Sequence, residues 1–250
     1  MRSKTSFRWK KSSTGGTFKY FLRGFFMDLF SFKRRKNQQK NQQCLAAVLE
    51  RANNIVNSHK TREEQKLALR DFINVLLRPL LWSHIRQQYL NEDHKHSEIK
   101  LPRLFDIVPF EHLAYDPRPK CDDELQHLNL GNDCVFVNPW RPSSLNCMLG
   151  TIGHGNNPFK QREDNHDVSL LMPMRIGYVW RGNHSIMQGM LTGSGKIIPC
   201  EVINCSQYFD RYSFDGTHWV DHESDQKVEA RYIEFGWVWE ICKAYQNILQ

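Results

Sequence analysis

At 250 residues, with 40% hydrophobic and 12% aromatic content, the chain can bury one substantial core and is too apolar to be disordered throughout. Its net charge of +7 is uneven: residues 1–40 hold twelve Lys/Arg against one acid, Asp28, a surplus of +11, so the rest of the chain sums to −4. That excludes a basic DNA-binding body and confines polyanion contact to a tail. The absence of any run of about 18 apolar residues excludes a spanning helix.

Met1 to Gly16 is basic and rich in Ser, Thr and Gly, and is expected to be disordered. Phe18, Phe21, Leu22, Phe25, Phe26 and Leu29 then recur at helical spacing, with Lys19 and Arg23 between them and Lys33-Arg34-Arg35-Lys36 after. Two readings compete. The aromatics dock on the protein's own body with the cations solvated, or the helix lies on an anionic membrane surface. Gly24 weakens an isolated helix and tilts the balance to self-docking. Nucleic acid is a third and less specific taker for the basic cluster.

Leu45, Val48, Leu49, Ala52, Ile55 and Val56 form one helical face. Thr61 followed by Glu64 is a capping box opening a second helix, with Leu69, Phe72, Ile73, Leu76, Leu77 and Leu80 on one side. Pro79 is expected to kink or end it near Arg78, after which Leu81, Trp82, Ile85 and Tyr89 continue the pattern. The polar stretch Asn91–Lys100 reads as a linker. His94 and His96 within it lack an acid-and-cysteine framework and read as solvated.

From Leu101 the chain changes to short apolar runs broken by Pro, Asn, Asp and Gly. Leu104–Val108 and Cys134–Val137 read as strands, and Ser143–Ile152 as a helix stopped by Gly153. Val168–Met172 and Arg175–Arg181 read as extended segments. Asn183 is the expected N-cap of a helix over Ser185–Leu191, ended by Gly193. Ile197–Ile203 reads as a further strand, Asp215-Gly216 marks a hairpin, and Ile233, Trp237, Ile241, Ala244, Tyr245 and Ile248 form an amphipathic C-terminal helix. The fold class is α/β (α+β), arranged as a tail (1–40), a helical hairpin (41–92) and a mixed-sheet core (101–250). Seven cysteines without paired spacing, and no secretory signal, read as free thiols in a cytoplasmic protein, peripheral to a membrane if the tail engages lipid.

The most compact functional stretch is Val168–Asn204, with its apolar run at Met174–Trp180. An apolar run stops at Gly182-Asn183-His184-Ser185, where a strand, a tight polar turn and a helix start meet. The first N–H groups of a helix lack intrahelical partners and carry partial positive charge, which favours an anion. His184 near neutral pH can serve as acid, base or donor, and Arg181 and Lys196 flank the turn with charge. The competing reading is structural, with Asn183 capping the helix and His184 satisfying a carbonyl.

The order of elements resembles the ParB/sulfiredoxin-like domain. Phe105-Asp106-Ile107-Val108-Pro109 looks like its early strand, and Leu145 through Ile152-Gly153 and Asn157-Pro158 like its helix and exit. Gly182-Asn183-His184-Ser185 looks like its signature turn, and Ile198-Pro199-Cys200-Glu201-Val202 like its last strand. The Gly-Asn-His-Ser-Ile motif with a Trp-rich C-terminal helix also looks like an uncharacterised bacterial family sharing this core. The resemblance implies a ligand-binding domain with a nucleotide or other phosphorylated small molecule at Arg181, Gly182, Asn183, His184, Ser185 and Lys196, and His184 as its catalytic candidate.

Two departures limit what it implies. Sulfiredoxin chemistry needs a cysteine where Asn183 stands, and an amide supplies no thiolate. ParB-type nucleotide binding uses an arginine where Ser185 stands, and a hydroxyl is no bidentate, charged fork. Whether the domain is an enzyme, and with which cofactor, is left open. The alternative is a non-enzymatic module binding nucleic acid or protein through its tail. Other motifs read as structural. Gly193-Ser194-Gly195-Lys196 lacks the Ser/Thr and early Gly of a phosphate loop, and Cys200 and Cys205 have no second pair for zinc. His218 and His222 flank a hairpin segment, where their spacing gives no shared face, and His166-Asp167 edges a cleft.

Overall fold

A computed structural model describes residues 15–90, 105–106, 115–116 and 126–250; residues 1–14 of the expected tail, the expected linker (91–100) and the side chains of residues 15–35, 115, 116 and 142 lie outside the described part. Helix α1 (Gly15–Ser58) runs without interruption past residue 40. Its second half meets the body: Ala52 is fully buried, with Leu45, Val48, Leu49, Ile55 and Val56 packed around it. Helix α2 (Arg62–Leu90) opens on the reciprocal box expected from its sequence. The Glu64 N–H donates to Thr61 Oγ1 (3.2 Å) and the Thr61 N–H to Glu64 Oε2 (3.1 Å). It continues through Pro79 to Leu90, burying Leu69, Ile73, Leu77, Leu81 and Ile85 along one stripe.

The central sheet is mixed, in the order β1 (Tyr115–Asp116), β7 (Glu201–Asn204), β4 (Asp167–Met172), β5 (Ile176–Arg181), β3 (Cys134–Phe136). β4 and β5 form an antiparallel hairpin, β3 runs parallel to β5, and β7 runs parallel to β4. The run read as Arg175–Arg181 is therefore a strand, and a central one. Ile176 to Val179 are buried on both faces, whereas Trp180 and Arg181 emerge from the sheet. Helix α3 (Pro142–Met148) lies between β3 and β4, and α4 (Asn183–Leu191) follows β5, the two helices packing together.

A second sheet, β8 (Tyr212–Phe214), β9 (His218–Asp221) and β10 (Lys227–Glu229), turns between β8 and β9 at the expected Asp215-Gly216 hairpin. It rests on α5 (Ile233–Ala244), which the short α6 (Gln246–Leu249) follows. Phe105, Phe214, Trp219, Phe235 and Trp239 form an aromatic cluster with centroids about 5.5 Å apart. Phe136 on β3 meets Phe235 on α5 at 5.1 Å, so both sheets and the helical layer share one core.

Three elements differ from expectation. Phe105 and Asp106 form a bend, not part of a strand: Asp106 has φ 35°, its carboxylate accepts the Arg231 N–H, and Phe105 plunges into the aromatic cluster. The rest of the expected strand, residues 104 and 107–108, lies outside the described part. Helix α3 ends at Met148, not Ile152, because Leu149 takes extended backbone (φ −57°, ψ 129°). The Ile197–Ile203 run is two strands in different sheets. Lys196–Ile197 (β6) pairs with Leu128–Asn129 (β2), and Glu201–Asn204 joins the central sheet. Between them Gln161 clamps Ile198, accepting its N–H (2.7 Å) and donating to its carbonyl (2.8 Å).

Candidate functional site

β5 delivers the chain to Gly182, whose φ of 85° and ψ of 17° belong to the left-handed region. Glycine reaches that region without a Cβ penalty. The reversal turns the strand directly into α4, whose first bond runs from Ile186 N–H to Gly182 O (3.0 Å). Gly182 therefore occupies the N-cap position expected for Asn183. Asn183 is the first helical residue, and its Oδ1 accepts the backbone N–H of Asn138 (2.7 Å) instead. Next to it, His184 Nε2 accepts the Arg141 N–H (3.3 Å). Both contacts reach the loop Asn138–Arg141 between β3 and α3. The parallel β3–β5 register carries that loop to the turn.

This pairing of loop and turn encloses a cavity of 340 Å³. Trp140, Arg141, Ser144 and Met148 line one side, Trp180 and Arg181 another, and Gly182 to Ser185 with Asn165 complete the wall. Helix α3 opens just after Arg141, with Pro142 at its first position. The Arg141 guanidinium lies over the Trp140 ring, 4.6 Å from its centroid, and forms no ion pair with a described residue. Trp140 and Trp180 are half exposed (52% and 47%), two large apolar faces held open at one cavity.

The sequence candidates divide. Arg181, Gly182, Asn183, His184 and Ser185 are together on the cavity wall. The Arg181 guanidinium is paired with Asp167, which neutralises it locally. Lys196 lies in β6, beyond the far end of α4, and does not line the cavity. Trp140, Arg141, Ser144, Met148 and Asn165 were not singled out in the sequence. Their only signal is the run Asn138-Pro139-Trp140-Arg141-Pro142, a cation and an indole between two prolines just before a helix.

The protonation states follow from the partners. His166 is 4% exposed, its Nδ1 accepts the Arg162 N–H (2.8 Å), and its Nε2 lies 2.7 Å from Ser185 Oγ. A ring nitrogen that accepts an N–H carries no proton, so the proton sits on Nε2 and is donated to Ser185. Ser185 Oγ in turn donates to Gly182 O (3.1 Å). Ser185 is thus a link in a structural chain, and His166 has no free lone pair to activate it as a nucleophile. Burial, with Arg162 nearby, pushes the His166 pKa below its usual value. Burial lowers that of His184 as well. With Nε2 engaged by Arg141, neutral His184 keeps its proton on Nδ1. Its free ring nitrogen is then a donor, with no open lone pair for a general base.

Elsewhere the chemistry is structural. His222 Nε2 bonds Ser213 Oγ (2.8 Å), and Cys205 is buried with its thiol pKa raised by desolvation. Among the described residues no group of three or more His, Cys, Asp and Glu is placed to hold a metal ion. The six cysteines among them are free thiols. No described helix is long and apolar enough to cross a membrane.

A family of unknown function, DUF6710, matches residues 30–249, and the chain belongs to that family. No curated protein and no solved structure matches it.

Proposed function

We propose that the cavity between the β3–α3 loop and the start of α4 binds a phosphate-bearing small molecule of the nucleotide class. The observation that carries this reading is the meeting, on one cavity wall, of Arg141, which pairs with no acid among the described residues, His184 and the first turn of α4. The unsatisfied N–H groups of that turn and the guanidinium favour the same charge. The exposed indoles of Trp140 and Trp180 offer stacking surface for a planar group. The sequence of strand, helix, strand hairpin and helix around the turn supports the ParB/sulfiredoxin-like reading, with Arg141 supplying the guanidinium that Ser185 cannot. Neither histidine is set up as a base, so the reading is of a binding site; a reaction would need a further group from the ligand.

Calorimetry with a panel of nucleotides and phosphorylated metabolites tests it. Arg141→Ala should weaken the best ligand about 10- to 100-fold, as expected for losing a charge-assisted contact. His184→Ala should weaken it about 3- to 10-fold for one lost neutral donor. Both variants should melt close to the wild type. If no member of the panel binds, or both variants bind it unchanged, the cavity is not the site.

A second reading rests on a separate observation, the +11 surplus in residues 1–40. It is a tail that binds nucleic acid or an anionic membrane, holding a cytoplasmic protein at that surface. Just past that point α1 touches the body, where Asn41 Nδ2 donates to Thr217 Oγ1 (3.4 Å) and Gly216 lies against Gln42. Deleting residues 1–40 should therefore abolish salt-sensitive binding to duplex DNA or phosphatidylserine vesicles while leaving cooperative unfolding intact. Loss of cooperative unfolding would assign the aromatic stretch to the core and end the surface reading.

A further inference from the structure

We propose that His166 is a proton-sensitive latch on the cavity: its neutral ring holds the Gly182–Ser185 turn in place, and a proton on Nδ1 releases the turn. That ligand binding then changes with the turn rests on the phosphate-pocket reading; the latch itself does not. The argument is geometric. One ring nitrogen accepts a backbone N–H from Arg162, the other donates to Ser185, and Ser185 donates to Gly182 O. The ring also packs against Gly182 itself, where a Cβ would lie 2.2 Å from its Cδ2. Phe159 stacks on it with centroids 5.3 Å apart. The imidazole is thus a peg between the loop before β4 and the start of α4.

Protonation removes the peg's fit. A charged imidazole has two donors and no acceptor, so Nδ1–H would face Arg162 N–H at 2.8 Å. The surroundings offer the proton little help. On the ring's own segment, Asp164 is paired with Arg162; Asp167 is paired with Arg181 from the end of β5. Helix α4 contributes Ser185 and the uncharged His184. No carboxylate hydrogen-bonds the ring among the described residues. Released from the peg, the histidine is solvated and takes a proton at its ordinary pKa. Opening is therefore favoured about tenfold for each pH unit below about 6.5, until the latched ring itself titrates. Above that window both forms are neutral and the latch holds fully.

Amide hydrogen exchange on the full chain tests this. Ile186 N–H, bonded to Gly182 O, reports the turn, and Tyr245 N–H, bonded to Ile241 O (2.9 Å), reports the body. The protection factor of Ile186 should fall about fivefold between about pH 6.5 and about pH 5.5, while that of Tyr245 holds. A flat Ile186 profile, or a parallel fall at both amides, overturns the latch. His166→Gln keeps a donor and an acceptor without titrating and should remove the pH dependence. Should that variant not fold, the nitrogen chemical shifts of His166 in the wild type must titrate below the ordinary histidine pKa, where the fall in Ile186 protection levels off, and a ring that titrates at its ordinary pKa overturns the proposal.

Sulfate, whose charge is constant across this range, is the ligand probe by calorimetry. Its affinity should fall together with Ile186 protection. Affinity that rises while the turn stays protected would mean that protonation only adds charge, and would overturn the latch. If sulfate binds at no pH while Ile186 protection still falls, the pocket reading fails and the latch stands.

Discussion

Trp239→Ala should destabilise the protein by about 3–5 kcal/mol, the usual range for deleting a buried tryptophan, seen as a lower denaturant midpoint or loss of the folded state. Trp239 is fully buried and sits where three parts of the molecule join. Its ring meets Phe209 at 4.8 Å, Phe105 at 5.4 Å and Trp219 on the small sheet at 5.6 Å. Its indole N–H also donates to Tyr212 O (3.1 Å), a buried carbonyl that alanine would leave unpaired. Because total stability for a domain is typically about 5–15 kcal/mol, the loss is a large fraction of it. Trp239→Phe keeps most of the ring contacts and should cost clearly less. A Trp239→Ala protein with an unchanged midpoint would show that the small sheet and α5 do not share the core with the helical layer.

What the sequence reveals here depends on the reach of each interaction. The Thr61–Glu64 box is closed by residues three apart, and it forms as written. The turn at Gly182 is equally local, so strand, reversal and helix could be read from adjacent residues. Which residue caps α4 could not. Asn183 is the better cap by propensity, but Gly182 takes the left-handed cap position and Asn138, 45 residues away, claims the Asn183 side chain. Arg141 and Trp140 were hidden for the same reason. They join the cavity only through the parallel pairing of β3 with β5. The split of Ile197–Ile203 depends on Gln161, 37 residues from Ile198. On α5 the obstacle was different. The expected stripe passed through Ile233, Trp237 and Ile241, whereas the structure buries Phe235, Val238, Trp239 and Cys242 with Ile241. Apolar residues lie around most of that helix, so its periodicity does not single out the inner face.

The pocket and its latch converge on one position, and Gly182→Ala should damage both. Two separate penalties apply. At φ 85° an alanine takes a left-handed conformation, which costs about 1 kcal/mol. Its Cβ would also lie 2.2 Å from His166 Cδ2 and 2.8 Å from Asn165 O, and the second of these is backbone that cannot swing away. Overpacking of that kind adds about 1–3 kcal/mol, for a total of about 2–4 kcal/mol. Gly155→Ala separates the terms. Gly155 also has a positive φ (56°), but nothing lies within 4 Å of the added methyl, so it should cost only the conformational share. The excess at Gly182 is then assignable to its neighbours, and a double substitution apportions it. His166→Ser removes the ring that the methyl strikes. The Gly182→Ala and His166→Ser effects should therefore sum to less than their separate losses, by about 1 kcal/mol or more. Urea denaturation of the four proteins of this cycle measures the coupling. Strict additivity would mean that His166 does not press on the turn, and would take the physical basis of the latch with it.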